Sequence, residues 1–336
     1  MKIVSYRLEE KSMKKKIIVI HTGGTISMME DAETGAVSPG KENPLSVQTS
    51  IVSDLADLHV IEAFHLPSPH ITPVHMEKIK RLIEDSYKEE PFHGVVITHG
   101  TDTLEETAYF LDLTLSLPIA VVVTGAMRSS NEIGADGLYN LISSVRVAAD
   151  DKSISKGVLV VLNDEIHSAK NVTKTHTSNV STFQSPQYGP IGIVTKQGIL
   201  YHHQPTSNEH YHVCDVSKKV TLIKAYAGMD SDLLKAIKDL SYEGVVIEAL
   251  GQGNLPPGAL EGIDDLIAAN IPVVLVSRCF NGIAQDVYGY AGGGKELKEK
   301  GVIFSNGLNG QKARIKLMVA LSQTSDMNEL ELIFKQ

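Results

Sequence analysis

The apolar residues of this chain gather into short uninterrupted runs that stop abruptly at turns rich in glycine and hydroxyl groups. Lys16-Ile17-Ile18-Val19-Ile20-His21 empties into Thr22-Gly23-Gly24-Thr25-Ile26-Ser27, Gly94-Val95-Val96-Ile97-Thr98 into His99-Gly100-Thr101-Asp102-Thr103, and the run at 119–123 into Thr124-Gly125-Ala126-Met127-Arg128. Short runs without polar alternation predict strands buried on both faces. Between them the apolar spacing predicts helices over 73–83, 103–117 and 136–149. The first has proline near its N1 position, and the second has Thr103 as N-cap with Glu106 completing a capping box. Another strand is predicted at 157–162, followed by a polar loop containing Lys170 and Lys174. Such alternation implies a mainly parallel sheet flanked by helices, with ligands bound beyond the carboxyl ends of its strands. Residues 28–44 carry acids, glycines and prolines without periodicity and read as a long surface loop, a common form for a lid.

From about 201 to 217 the pattern dissolves into histidines and polar residues, and a second alternation follows. Strands are predicted at 244–249, 272–277 and 302–304, and helices at 230–240, 258–269 and 311–324. The fold class is therefore α/β, with a larger N-terminal domain over 1–200, a linker over 201–217 and a smaller C-terminal α/β domain over 218–336. A chain of 336 residues is long enough to bury two cores.

Composition changes this picture only by exclusion. A hydrophobic content of 42% and a formal net charge of −9 disfavour a large basic surface, so no nucleic-acid partner is expected. The 2 cysteines, Cys214 and Cys279, lie far apart and outside any CxxC, which suits a reducing, cytoplasmic setting. Cys279 follows an apparent strand and reads as a buried structural thiol. The apolar run at 17–20 is too short for the core of a signal peptide, and no run is long enough to cross a bilayer, so no membrane partner is expected. Met13, followed by three lysines, is an alternative start that would leave the residues before it as a loose arm.

The strand ends carry the candidate chemistry. Two threonines, Thr25 and Thr101, one carboxylate, Asp102, and a loop lysine, Lys174, form a set suited to amide hydrolysis. A threonine hydroxyl is a poor nucleophile until a base takes its proton, and lysine can serve as that base only when neutral. Burial favours the neutral amine and a neighbouring carboxylate opposes it. Taken singly, each residue has a plainer reading: a tight turn at Gly23-Gly24-Thr25, a helix-capping turn at Thr101 to Thr103, a solvated lysine at 174. Gly289-x4-Gly294-Lys295 has Walker A spacing, but Glu296 stands where Ser or Thr must hold Mg²⁺. His202, His203, His210 and His212 fit no standard zinc spacing, so no metal site is expected.

The motifs in their order resemble the bacterial L-asparaginase family. The likeness rests on Thr22 to Ser27, His99 to Thr103, Thr124 to Arg128 and Thr173-Lys174-Thr175. It extends through Gly251-Gln252-Gly253-Asn254-Leu255 and Asn309-Gly310-Gln311-Lys312-Ala313-Arg314 into the second domain. The resemblance implies a cofactor-free amidohydrolase that converts L-asparagine to L-aspartate and ammonia, active as a homodimer or homotetramer with sites at the intimate dimer interface. It implies that Thr25 attacks the side-chain amide carbon and that Thr101, Asp102 and Lys174 handle proton transfer. By the same likeness Ser68 would hold the substrate α-carboxylate and Asp102 its α-ammonium. Ala126 would offer backbone near the scissile amide, and Asn254 would reach the neighbouring subunit's pocket.

Three departures stand beside the likeness. Residues 28–41 lack the tyrosine the family often carries after the first threonine, Ala36 or Val37 falling near its place. Pro69 stands where secreted members have glutamine, and Val287-Tyr288-Gly289 follows Gln285-Asp286 where a glutamate is usual. Two rivals follow: a glutaminase or amidotransferase-type amidase subunit, and a catalytically weak asparagine-binding regulator.

Overall fold

The computed structural model describes residues 14–31, 34, 37–39, 52, 55–205, 209–212, 216–305 and 307–335. Met13, Ala36 and Cys214 lie outside the described residues. In chain order the strands begin with β1 (Lys16–His21), β2 (Met28–Glu30), β3 (Val37–Pro39), β4 (Asp57–Glu62), β5 (Gly94–Thr98) and β6 (Ala120–Thr124). They continue with β7 (Val158–Leu162), β8 (Glu165–Ser168), β9 (Thr173–Lys174), β10 (Phe183–Gln184), β11 (Gly192–Thr195) and β12 (Gly198–Tyr201). The helices over this part are α1 (Pro73–Glu89), α2 (Leu104–Thr114) and α3 (Gly137–Ala148). The second sheet uses β13 (Val220–Lys224), β14 (Gly244–Ala249), β15 (Val273–Ser277) and β16 (Ile303–Phe304), with α4 (Asp232–Asp239), α5 (Leu260–Ala268), α6 (Gly294–Glu299), α7 (Gly310–Leu321) and α8 (Met327–Lys335).

The first sheet has the order β12-β11-β8-β7-β6-β5-β1-β4. Its β4-β1-β5-β6-β7 part is parallel, as the buried runs require, but β8, β11 and β12 are antiparallel. The sheet is therefore mixed, and the polar stretch after residue 162 is not the plain loop expected. Asn163 and Asp164 both take positive φ, 50° and 64°, which turns the chain back within two residues and leaves no room for a crossover. Strand β4 escaped the periodicity because it is a charged edge strand with most positions partly or fully exposed. Strands β2 and β3 pair as an antiparallel hairpin inside the stretch expected to be loop. The second sheet, β13-β14-β15-β16, is parallel throughout.

Three apolar clusters hold these layers. One face of the first sheet packs on α3 through Val96, Val122, Leu141 and Val145. The outer face of the second sheet packs on α4 and α5 through Ile247, Leu234 and Leu266. The third cluster joins the two sheets, running from Ile79, Ile97 and Phe110 to Val246, Leu317 and Phe334. Each such side chain contributes roughly 1.5–3 kcal/mol on burial, so α2 and α7 form a fixed seam between the two halves. Helix α7 is enclosed so fully that Lys312 and Lys316 are both only 1% exposed.

One smaller expectation changes. Cys279 is exposed and free, because the chain leaves the sheet at Ser277 and Cys279 lies in the surface turn beyond it. No helix of the described residues is long and apolar enough to cross a membrane.

Candidate active site

The carboxyl ends of β1, β4, β5 and β6 are brought together by glycines. Gly24 has φ 82°, and a Cβ built on it would lie 2.2 Å from the Gly100 Cα. A Cβ on Gly100 would in turn lie 2.7 Å from the Ser68 Cβ, and one on Gly125 would meet His99 O at 2.6 Å and Thr101 Cγ2 at 3.2 Å. Three strand-end loops thus meet backbone to backbone around Gly100. The residue after two of the meeting glycines, Thr25 after Gly24 and Thr101 after Gly100, carries a hydroxyl to the site. Thr25 opens a single 3₁₀ turn, Thr25–Ser27, and is half-buried. Thr101 is 6% exposed.

Ser68 ties two of these loops. Its Oγ accepts from Asp102 N at 3.1 Å, and its carbonyl accepts from Thr103 Oγ1 at 2.8 Å. The expected capping box at the start of α2 is therefore not formed. The Thr103 hydroxyl is turned to Ser68, and Glu106 lies in the field of Arg314 and Lys312.

Lys174 reaches this cluster from β9, a two-residue strand paired with β10. Its Nζ donates to Thr101 Oγ1 at 2.9 Å and to Asp102 Oδ1 at 2.7 Å. The lysine side chain is 17% exposed and the aspartate 59%, so the pair faces inward at the amine and outward at the carboxylate. Thr101, Asp102, Lys174 and Ser68 are thus in one hydrogen-bonded group, with Thr25 on the adjoining turn. Ala126 is fully buried in the loop after β6, which Asp136 shapes by accepting from Met127 N and Arg128 N. Asn254 is elsewhere: it pairs with Leu250, and its Oδ1 accepts from Gly294 N at 3.2 Å at the start of α6. Among the described residues no His, Cys, Asp and Glu cluster could hold a metal ion.

Two family models cover the chain, one described as "Asparaginase, N-terminal" over residues 16–207 and one as "Glutaminase/Asparaginase C-terminal domain" over 219–334. The chain belongs to the asparaginase family. It is 38% identical over 328 residues to a probable L-asparaginase of Deinococcus radiodurans, covering 96% of this chain and 97% of that one. It is 35% identical to L-asparaginase 2 of Escherichia coli, with 95% and 92% covered. A protein of Haemophilus influenzae named probable L-asparaginase periplasmic is also 35% identical, with 95% and 92% covered.

The asparaginase fold supports its strand ends with groups that periodicity and motif spacing do not point to. His99 is wholly buried, and burial pushes its imidazole down to about 4, so the ring is neutral. Its Nδ1 lies 2.8 Å from Gly100 O, which can only accept, and its Nε2 therefore accepts from Thr107 Oγ1 at 2.9 Å. The imidazole fixes the Gly100 peptide before the site. Glu105, 4% exposed on the first turn of α2, accepts from Thr173 Oγ1 at 3.0 Å and Lys174 N at 3.2 Å. The only signal for His99 was its place between a strand and a glycine, and Glu105 had none beyond its position in the first turn.

Two predictions follow from this packing. Gly24→Ala combines a disfavoured backbone conformation with a backbone clash and should cost about 3 kcal/mol or more in denaturant unfolding. A loss below about 1 kcal/mol would mean the loops can part without penalty. For His99 the native imidazole titrates near 4 and the unfolded one near 6.5, so between these values the unfolded chain binds the extra proton and stability falls as pH falls. The stability of wild type minus that of His99→Gln should drop by about 3 kcal/mol from pH ~7 to pH ~4. Taking the difference removes Asp112, which burial pushes up to about 6 and which acts in the opposite sense. A flat difference would show that His99 is not held neutral.

Proposed function

We propose that this protein is an L-asparaginase that hydrolyses the side-chain amide of L-asparagine through a threonine nucleophile. The observation that carries the reading is the Lys174 amine within 2.9 Å of Thr101 Oγ1 and 2.7 Å of Asp102 Oδ1, beside the turn that bears Thr25. As Thr25 Oγ1 attacks the amide carbon its proton passes to the Thr101–Lys174 set, the carbonyl oxygen takes the negative charge, and the C–N bond breaks as the nitrogen takes that proton and leaves as ammonia. Water then cleaves the Thr25 ester and frees the aspartate. Within that set Thr101 relays the proton to Lys174, which acts as the base, and Asp102 stabilises the ammonium so formed until the proton is handed to the leaving nitrogen. Backbone N–H groups of Thr25 and Thr101 are the candidate oxyanion donors, and Ala126 lines the amide.

The substrate's own charges set the remaining roles. Ser68, whose hydroxyl already meets Asp102 N, is the proposed partner of the α-carboxylate, and the half-exposed Asp102 carboxylate that of the α-ammonium. We propose a domain division of 1–200, 201–217 and 218–336, supported by β12 ending at Tyr201 and β13 starting at Val220. A cytoplasmic location is supported by the exposed free thiol of Cys279. Assembly as a homodimer or homotetramer, with Asn254 entering the neighbouring pocket, is supported by the exposed Phe280, Val287, Tyr288 and Tyr290 on the same domain.

Ammonia release should be measured with L-asparagine, L-glutamine and D-asparagine at several concentrations. L-Asparagine should be the preferred substrate, and Thr25→Ala, Thr101→Val and Lys174→Met should each lose at least about 100-fold in turnover while remaining folded. Lys295→Ala, in the Walker-like stretch, should match wild type. Tight asparagine binding without release from the wild-type protein would replace this reading with a binding protein, and full activity in Lys174→Met would remove the proposed base. The assembly is checked by solution mass: a dimer or tetramer is expected, with Asn254→Ala keeping that mass while raising KM about tenfold or more, and an active monomer would refute it.

A further inference from the structure

Lys174 donates from a strand of only two residues, and short pairing alone fixes a long side chain poorly. The segment around it is held instead from the other domain. Lys312, at the start of α7 and 1% exposed, sends its Nζ to Val172 O and to Lys170 O at 3.2 Å, and lies 3.6 Å from Glu105 Oε2. Asn309, the N-cap of α7, accepts from Lys312 N at 3.1 Å, while its Nδ2 donates to Glu105 Oε2 at 2.9 Å. Glu105 uses its other oxygen on Thr173 Oγ1 and Lys174 N. The Lys170 and Val172 carbonyls therefore end on Lys312 of the second domain, and the Lys174 N–H ends on Glu105, which Asn309 of the second domain holds in turn.

We propose that Glu105, Asn309 and Lys312 form a cross-domain clamp of positioning residues that sets Lys174 against Thr101 and Asp102. The C-terminal domain thereby controls the geometry of a catalytic centre that it does not itself line with a reacting group. A buried lysine and carboxylate are costly to enclose unless each has partners, and a buried pair is by itself weak evidence of stabilisation. Here the partners are the carbonyls and the N–H of the segment that carries the amine. Lys316, one turn further along α7, gives the contrast. It is equally buried and pairs with Glu209 Oε2 at 2.5 Å, yet it holds none of the 172–174 backbone. Misplacement of a base by about 1 Å can cost on the order of 100-fold in rate, so loosening the clamp should act on turnover.

The inference rests on Lys174 being the base, and the experiment separates the two. Steady-state kinetics with L-asparagine and denaturant unfolding are measured for Asn309→Ser, Lys312→Met, Lys316→Met and Lys174→Met. Serine at 309 keeps a cap acceptor for α7 but cannot reach Glu105, so this variant decides the matter if Lys312→Met does not fold. Asn309→Ser and Lys312→Met should lower kcat about tenfold or more with KM changed by less than about twofold, and Lys316→Met should lose stability with kcat within about twofold of wild type. If Lys174→Met is inactive while Asn309→Ser keeps wild-type kcat, or if Lys316→Met loses kcat as much as the clamp variants do, the clamp is overturned and the base stands. If Lys174→Met keeps wild-type kcat, both fall.

Discussion

The site depends on one close approach, that of the Gly24 backbone to the Gly100 backbone. Strands β1 and β5 are hydrogen-bonded neighbours, so their ends start roughly 4.8 Å apart, and ordinary side chains would splay the loops beyond them. A Cβ on Gly24 would sit 2.2 Å from the Gly100 Cα, and one on Gly100 would sit 2.8 Å from Ser68 Oγ. With both removed, three loops close into one surface, and the next residue of two of them is a threonine. The hydroxyls converge because the glycines before them do. The buried imidazole of His99, held neutral by its surroundings and bonded to Gly100 O, keeps that peptide from turning away.

Closure of the loops supplies hydroxyls but no amine. The amine has to come from outside the parallel part of the sheet, and it does so through the sharp Asn163-Asp164 reversal that sends the chain back along β7 as β8 and then out to β9. A lysine delivered this way lacks the rigidity of a central strand. Its segment is held by Glu105 from α2, itself bonded by Asn309 at the N-cap of α7, and by Lys312 from α7, the two helices of the apolar seam. The same seam that joins the domains therefore places the amine. A single-domain version of this sheet would keep the threonines and lose the contacts of Asn309 and Lys312 that support the amine.

The division between what was legible in the residues and what was not follows from range. Each strand end could be read locally, because a buried run, a glycine and a hydroxyl are adjacent in sequence, and the resulting motifs are dense enough to carry a family likeness. The α/β order with a smaller second unit was legible for the same reason. Lys174 was weak by itself, since a polar stretch with a lysine describes most loops; only the family motif around it and then its bond to Thr101 single it out. The bond from Asn309 to Glu105 spans 204 residues and leaves no local mark. Strand β4 is hidden by its exposed edge, and Cys279 departs from expectation because a residue just beyond a buried strand need not be buried itself. The Thr103 cap failed for a tertiary reason, the competing carbonyl of Ser68.

The two threonines end up in unequal settings, and the inequality fits the division of labour proposed for them. Thr101 is nearly enclosed and held by the Lys174 amine, whereas the half-buried Thr25 has no side-chain hydrogen bond among the described residues. The hairpin that follows Thr25 is instead fastened at its base, by Ser130 N and Oγ on Met28 O and by the paired bonds between Glu30 and Asn131. Those bonds anchor β2 to the loop after β6 and leave the hydroxyl itself to be oriented by what binds. A group that must first attack a substrate and later be freed from the product gains from such latitude, while a base that shuttles a proton gains from being fixed. In this chain the fixed partner is the one tied to the second domain, and the adjustable one is tied only to its own.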